Sequence, residues 1–419
     1  MKTVKMGIFG LGRGSYFYDN IMSNNGEVVA VCDKDESRIE EAKRILGKDV
    51  AGYTDFDSFI EHEGLEAVML CNYFHEHAPY AIRALEKNIH VLSECTSNGT
   101  MAEGVELVRA AEKSKAHYMI SENYPFMTFN CEIKRICDSG TLGKIMYATG
   151  EYNHPVDPYN NKELLSLAPY ARHWRNLLPR TYYITHSLAP LMYFTGAIPK
   201  RVTALPVYLP YPKDSTLAAG RVQDRAAIVN ILNNDDSVFT VTGCAAFGAH
   251  GNSYRICGDK GQVQNVICDK KDKILLRYNS WDLPEGKEKI NFYTPERKDK
   301  DDALIEKAGH GGGDFIVIRE FFDCIRENKR PIMDEYFATV MASVALLSHR
   351  SLLEGGMPYD IPDFHNEEDR IKYENDRLSP FFGSDGSKPT IACESHKNSR
   401  TYEESDEIYK SVIDSMKEE

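Results

Sequence analysis

Between residue 4 and about residue 122 the chain alternates short apolar runs with longer stretches in which apolar residues recur at every third or fourth position. The runs at Val4–Gly10, Glu27–Asp33, Ala67–Cys71, Ile89–Glu94 and His117–Ser121 predict buried strands. The intervening ESRIEEAKRIL, HAPYAIRALEKN and MAEGVELVRAAEKS predict amphipathic helices. Strand, helix, strand in this rhythm predicts a doubly wound parallel sheet, because parallel neighbours need a crossover and the crossover helices cover the sheet's faces.

The pattern changes after ENYPF. IMYATGEYNH, RVTALPVYL, RAAIVNIL, VFTVTGCAAF, SYRICGDKGQVQNV and KILLRYN are strand-like runs separated by turn residues, and they predict a large, mostly antiparallel open sheet. Helices are expected at Asp314–Asn328 and Glu335–Glu354. From about residue 365 the chain is polar and charge-rich with few periodic apolar positions, so it is expected to wrap a surface or to be partly disordered. The organisation read from this is α/β: a nucleotide-binding domain over 1–122, an α+β domain for substrate binding and oligomerisation over 123–364, and a polar extension over 365–419.

Charge narrows the partners. The 419 residues hold 50 Lys and Arg against 63 Asp and Glu, a net charge of −13, which argues against a nucleic-acid backbone and for a small ligand. The ten cysteines are scattered, with no CxxC pair, and several lie in apolar runs such as VVAVCD, as expected for reduced, buried thiols. The N-terminus passes straight into a predicted strand and no run of 18 apolar residues occurs, so a cytoplasmic protein without a membrane partner is expected.

Candidate chemistry begins at MGIFGLGRGS, where Gly10, Gly12 and Gly14 follow the first strand, and Ser15 stands at the third position of the strict dinucleotide fingerprint. The glycines allow a tight turn and close approach of a pyrophosphate, and the helix that follows offers free N–H groups. The second strand ends in Asp33, about 20 residues on, where a carboxylate accepts from adenosine ribose hydroxyls and repels a 2′-phosphate. A Rossmann domain that takes NAD is therefore expected.

The stretch AVMLCNYFHEHAPYAIRALEKNIHVLSEC with an antiparallel second domain resembles the glucose-fructose oxidoreductase, inositol dehydrogenase and MocA-like superfamily. In that family a strand ends in Glu-Lys-Pro, with the lysine near the nicotinamide; the matching residues here are Glu94, Cys95 and Thr96, and the lysine is missing. SENYPF, GEYNH, HWRN, YYITHSLAPL, GHGGGDF and YDIPDF are similar, in order, to segments of the family-109 glycoside hydrolases, NAD-dependent α-N-acetylgalactosaminidases that also lack the lysine. The resemblance adds Arg13, Asn72, His77, Glu94, Cys95 and Asn123 to the cofactor side. It also implies a homo-oligomer, dimer or tetramer, formed through the open sheet.

The resemblance further implies a route in which NAD+ oxidises a sugar hydroxyl, typically at C3. The ketone acidifies the C2–H, elimination and hydration follow, and the ketone is reduced again. Such a route needs a base at the hydroxyl, a second group for the C2 proton and polar anchors. His186 is expected at the C3 hydroxyl, Tyr183 beside it against the sugar, and Tyr152 at the C2 proton, with its phenol made more acidic by Arg175. Glu122, Arg175, His154, His173 and His310 are the expected substrate anchors.

Plainer roles stand beside these. The plainer reading makes His186 a packed helix-start histidine, Tyr152 a strand residue packed on a face, and Arg175 the partner of an acid. His154 and His173 are equally loop caps, and Cys95 a small filler. Asp314 is expected to N-cap its helix. His75 and His77 form an HxH pair, but no third ligand follows at motif spacing, so no metal is expected. Three functions fit: a redox-neutral glycosidase, a sugar or glycoside 3-dehydrogenase that releases a keto product, and a sugar-responsive regulator without turnover.

Overall fold

The structure is a computed structural model that describes residues 2–159, 167–213, 215–396 and 400–418. Its first sheet is built from β1 (Val4–Phe9), β2 (Gly26–Cys32), β3 (Ala51–Tyr53), β4 (Ala67–Leu70), β5 (His90–Ser93) and β6 (Tyr118–Ile120). These strands are all parallel, in the order β3-β2-β1-β4-β5-β6. Five of them sit within a residue or so of the apolar runs. The sixth, β3, escapes the pattern because a three-residue edge strand is too short to show a period. Two of its crossover helices start on side-chain caps: Asp35 before Glu36–Leu46, and a Thr100/Glu103 capping box before Met101–Lys113.

The second sheet holds β7 (Ile145–Asn153), β8 (Pro199–Tyr208), β9 (Asp224–Asn233), β10 (Val238–Ala245), β11 (Gly251–Gly258), β12 (Gly261–Val266), β13 (Lys273–Tyr278), β14 (Ile290–Tyr293) and β15 (Tyr359–Asp360). Its order is β14-β13-β12-β11-β7-β10-β9-β8-β15, antiparallel throughout except for the β7–β10 pair. The helix Thr185–Thr195 lies directly on this sheet, and glycines make room for it. A Cβ at Gly150 would meet the Ser187 carbonyl oxygen at 2.1 Å, and one at Gly243 would meet Ile184 Cγ2 at 2.5 Å.

The two later helices return to the first sheet. Gly313–Glu327 packs its Phe322 where a Cβ on Gly26 would stand, and Asn24 donates to the Phe315 carbonyl at 3.1 Å. Glu335–Leu353 is long and apolar enough to cross a membrane by composition, but 83% of its apolar window is buried inside the molecule, and it runs against both Met101–Lys113 and β8. The extension after residue 364 is seated on both domains: Arg370 donates to Glu112 and Arg109 to Glu374 on the first. Phe381 and Cys393 are buried, a helix forms at Tyr402–Glu418, and Arg172 donates to Asp406 at 2.7 Å. Its few apolar residues are too sparse for a legible period; Phe381 and Cys393 are buried while Ile371 and Leu378 stay exposed.

Candidate active site

The sheet order reverses at β1 and β4, and the loops that leave these strands form the expected cofactor cleft. Gly10 has φ +91°, and a Cβ there would lie 2.5 Å from the Cys71 carbonyl. Only glycine meets both demands. Gly14, rather than Ser15, permits close helix–strand packing, since its Cβ would strike Ile8 Cγ2 at 2.5 Å. The Ser15 hydroxyl donates to the Gly12 carbonyl at 3.3 Å. Asp33 is buried at the end of β2 and accepts the Leu11 N–H at 2.7 Å, which locks the glycine turn to the second strand.

These residues fit NAD. Beyond the glycine cradle, the amide oxygens of Asn72 and Asn123 are buried and have no hydrogen-bond partner among the described residues, leaving acceptors for hydroxyl or carboxamide donors. His77 is buried beside them at the start of its helix, with Nδ1 at 2.7 Å from the Thr96 carbonyl. Arg13 donates to Glu94 at 2.8 Å and lies 3.6 Å from Asp314, so it ties the glycine loop to the second domain.

Across the cleft, Glu122 leaves β6 with no exposed surface. Its Oε1 lies 2.8 Å from His186 Nδ1 and accepts the Tyr124 N–H at 3.3 Å, while Oε2 accepts the Cys95 thiol at 3.2 Å. Burial alone would raise the Glu122 pKa, but His186, Cys95 and the Tyr124 N–H together hold it below the usual carboxylate range. An ionised carboxylate only accepts, so Nδ1 carries a proton in this contact, and the tautomer it selects has its lone pair at Nε2. Glu122 thus stands behind His186 as its partner; fully buried and engaged, it is not the sugar anchor expected.

Aromatic rings fix the His186 imidazole. Tyr124 stacks on it at 3.9 Å between centroids and 13° between planes, and Tyr152 and Tyr183 meet it edge-on at 5.0 and 5.3 Å. The Tyr254 hydroxyl donates to its backbone carbonyl at 2.5 Å. Tyr183 lies in the 3-10 turn Arg180–Tyr183 just before the helix. Burial, then the neighbouring Tyr183 and Tyr124, push the Tyr152 phenol far above its ordinary value. Arg175 does not counter this: it is exposed, with its guanidinium 4.5 Å over the Trp174 ring.

A second carboxylate–imidazole pair closes the other side. His310 Nδ1 lies 2.9 Å from Asp314 Oδ2, and Asn123 donates to Oδ1 of the same aspartate at 2.6 Å. Asp314 therefore does not cap its helix; Gly312 stands at the cap, and the carboxylate turns back to His310. The bond to Asp314 outweighs burial and raises the His310 pKa. Burial works against Asp314's charge, but His310, Arg13 and Asn123 lower its pKa. The His310 ring lies 5.8 Å from Tyr124, so Tyr124 stands between the two histidines.

The remaining candidates rim this core. His154 follows β7, with its ring 5.8 Å from Tyr152 and 4.6 Å from His250. His173 is buried, accepts the Arg175 N–H at 3.4 Å, and is pushed by burial and Arg175 down to about 4. It behaves as a neutral loop cap. Sequence reasoning missed Tyr124, the Trp174 N–H, which is buried without a partner among the described residues, and Asp314's pairing. Tyr124 and Trp174 owe their places to segments far apart in the chain, and Asp314, four residues from His310, is also held by Asn123 from 191 positions away. Among the described residues no group of three or more His, Cys, Asp or Glu suits a metal.

Residues 4–122 match the family model "Oxidoreductase family, NAD-binding Rossmann fold", and residues 250–369 match "Glycosyl hydrolase 109, C-terminal domain". The chain is 25% identical over 403 residues to a glycosyl hydrolase family 109 protein of Streptomyces filamentosus, covering 87% of this chain and 78% of that one. It is 23% identical over 408 residues to glycosyl hydrolase family 109 protein 1 of Bacteroides thetaiotaomicron, covering 87% and 85%. In fold it is similar to a scyllo-inositol dehydrogenase of Lactobacillus casei solved with NAD(H) and scyllo-inositol, at TM-score 0.67 and 17% identity over 86% of this chain and 99% of that one. With the glycine cradle, Asp33 and the two-domain cleft in place, the chain is similar to the Gfo/Idh/MocA oxidoreductases in its Rossmann domain and to the family-109 glycosyl hydrolases in its C-terminal domain, and is an NAD-dependent sugar-acting enzyme.

Proposed function

We propose that this enzyme acts on a glycoside at the C3 hydroxyl and cleaves it without net redox change. The observation that carries the reading is the Glu122–His186 pair, a buried carboxylate that engages Nδ1 of the imidazole and leaves Nε2 for the substrate. NAD+, when bound, accepts the hydride from the sugar carbon and returns it at the end of the cycle. His186 takes the hydroxyl proton, and Glu122 stabilises the imidazolium that results. Tyr183, edge-on to His186, offers its phenol to the same hydroxyl. His310, whose raised pKa keeps it charged further toward neutral pH, serves as proton donor to the departing oxygen.

One observation favours a second reading. The phenol of Tyr152 is driven up rather than down, so Tyr152 is not poised as a phenolate for the C2 proton. An enzyme that lacks this second base stops at the 3-keto glycoside. Incubation with NAD+ and a panel of nitrophenyl α- and β-glycosides separates the two readings. Nitrophenol release with unmodified sugar and no net NADH is the expected outcome. NADH accumulation with an intact glycoside two mass units lighter overturns the glycosidase in favour of the dehydrogenase.

The reading extends to assembly. The open face of the second sheet carries Met146, Leu205, Ile290 and Phe292, each more than half exposed, which supports a homo-oligomer formed through this face.

A further inference from the structure

Glu122 is the most deeply buried charge in the cleft, and its two oxygens are held unequally. Oε1 has two donors, His186 Nδ1–H and the Tyr124 N–H. Oε2 has the Cys95 thiol, at 3.2 Å, as its one hydrogen-bond partner among the described residues. A carboxylate oxygen cut off from water and left without a donor is costly, so even a weak S–H donor matters here. We propose that Cys95 is a positioning residue that acts through Glu122: its thiol holds the carboxylate in the orientation and charge state that keep His186 a base with its lone pair on Nε2.

The surroundings keep the thiol in that role. Burial, then the nearby Glu122 and Glu94 carboxylates, push the Cys95 pKa well above its ordinary value, so it stays S–H and donates. A cation at this position would compete with His186 for Glu122; a neutral donor leaves the pair intact. The groups that face the pair are Glu94, Tyr124, Tyr152, His154, Tyr183 and Tyr254, none of which donates to Oε2 among the described contacts. Without the thiol, the less stabilised anion draws protons into the pair more strongly. The acid limb of the site then moves to higher pH.

This inference rests on the reading of His186 as the base, and its test separates the two. In the full-length protein labelled with 15N-histidine, the His186 resonance, assigned by its loss in His186→Gln, is titrated in the wild type, Cys95→Ala, Cys95→Ser and Glu122→Gln. Cys95→Ala is expected to raise the His186 midpoint by roughly one pH unit, and Cys95→Ser to restore it. The acid limb of glycoside oxidation moves in parallel. Cys95→Val, which fills the space without a donor, takes the place of Cys95→Ala if the alanine variant does not fold. A midpoint unmoved in the donor-free variant while Glu122→Gln shifts it overturns the role of Cys95. A midpoint unmoved in both overturns the Glu122–His186 pairing and the proposed function with it.

Discussion

At the scale of single residues, the chemistry rests on pairs that no local pattern announces. His186→Ala removes the base and is expected to slow single-turnover NADH formation by about 10²–10⁴-fold, followed by absorbance, while thermal stability stays near that of the wild type. Glu122→Gln keeps the shape but not the charge, and is expected to lower the same rate less than His186→Ala does. Tyr152→Phe tests the part of the phenol in cleavage: oxidation persists and glycoside cleavage is lost if it takes part in proton removal, and both persist if it only packs. The histidine and tyrosines were legible as candidates because polar residues interrupt an apolar run. The partner of His186 was not, because Glu122 lies 64 positions away and meets it only through the fold.

At the scale of elements, close approach of backbones decides where the site residues stand. The helix that carries His186 reaches the sheet only because position 150 lacks a side chain. Gly150→Ala is expected to lift this helix and cost about 1–3 kcal/mol, read by denaturant titration, with a parallel loss of oxidation rate as His186 leaves Glu122. The tail is a further example. The Tyr409 hydroxyl donates to the Ala168 carbonyl at 2.8 Å and Asp406 pairs with Arg172, so the helix Tyr402–Glu418 braces the segment that carries His173 and Trp174. Deleting residues 400–419 is expected to open that segment to limited proteolysis within 167–178 while the Rossmann domain remains resistant.

At the scale of the whole molecule, the charge balance makes stability depend on pH in a defined direction. Burial depresses His75, His90, His173 and His349 to about 4, so the folded chain leaves them neutral where the unfolded chain binds protons. Stability is therefore full above the unfolded histidine pKa near 6.5 and falls as pH drops from there toward 4. Glu122 and Asp314, lowered in the fold, add a loss further into acid, below the unfolded carboxylate range. The melting temperature is expected to fall steadily between pH 7 and pH 4, and His349→Leu, at a site that is 1% exposed, to flatten the upper part of that slope.

The amino-acid sequence by itself determined the elements whose signal is local. Apolar runs between amphipathic stretches specify a doubly wound sheet, and a glycine turn before an acid-terminated strand specifies NAD, because both depend on spacings within some 30 residues. Only the tertiary structure decided which side chains meet. Burial of Glu122 set its partnership with His186 and Cys95, buried Asp314 drew in Asn123 from 191 positions away, and the tail's buried Arg370 found Glu112 of the first domain. The physical reason is common to all three. A buried polar group must find a partner or lose free energy, and the partner that satisfies it is chosen by packing between segments distant in the chain, which no pattern of neighbours along the sequence records.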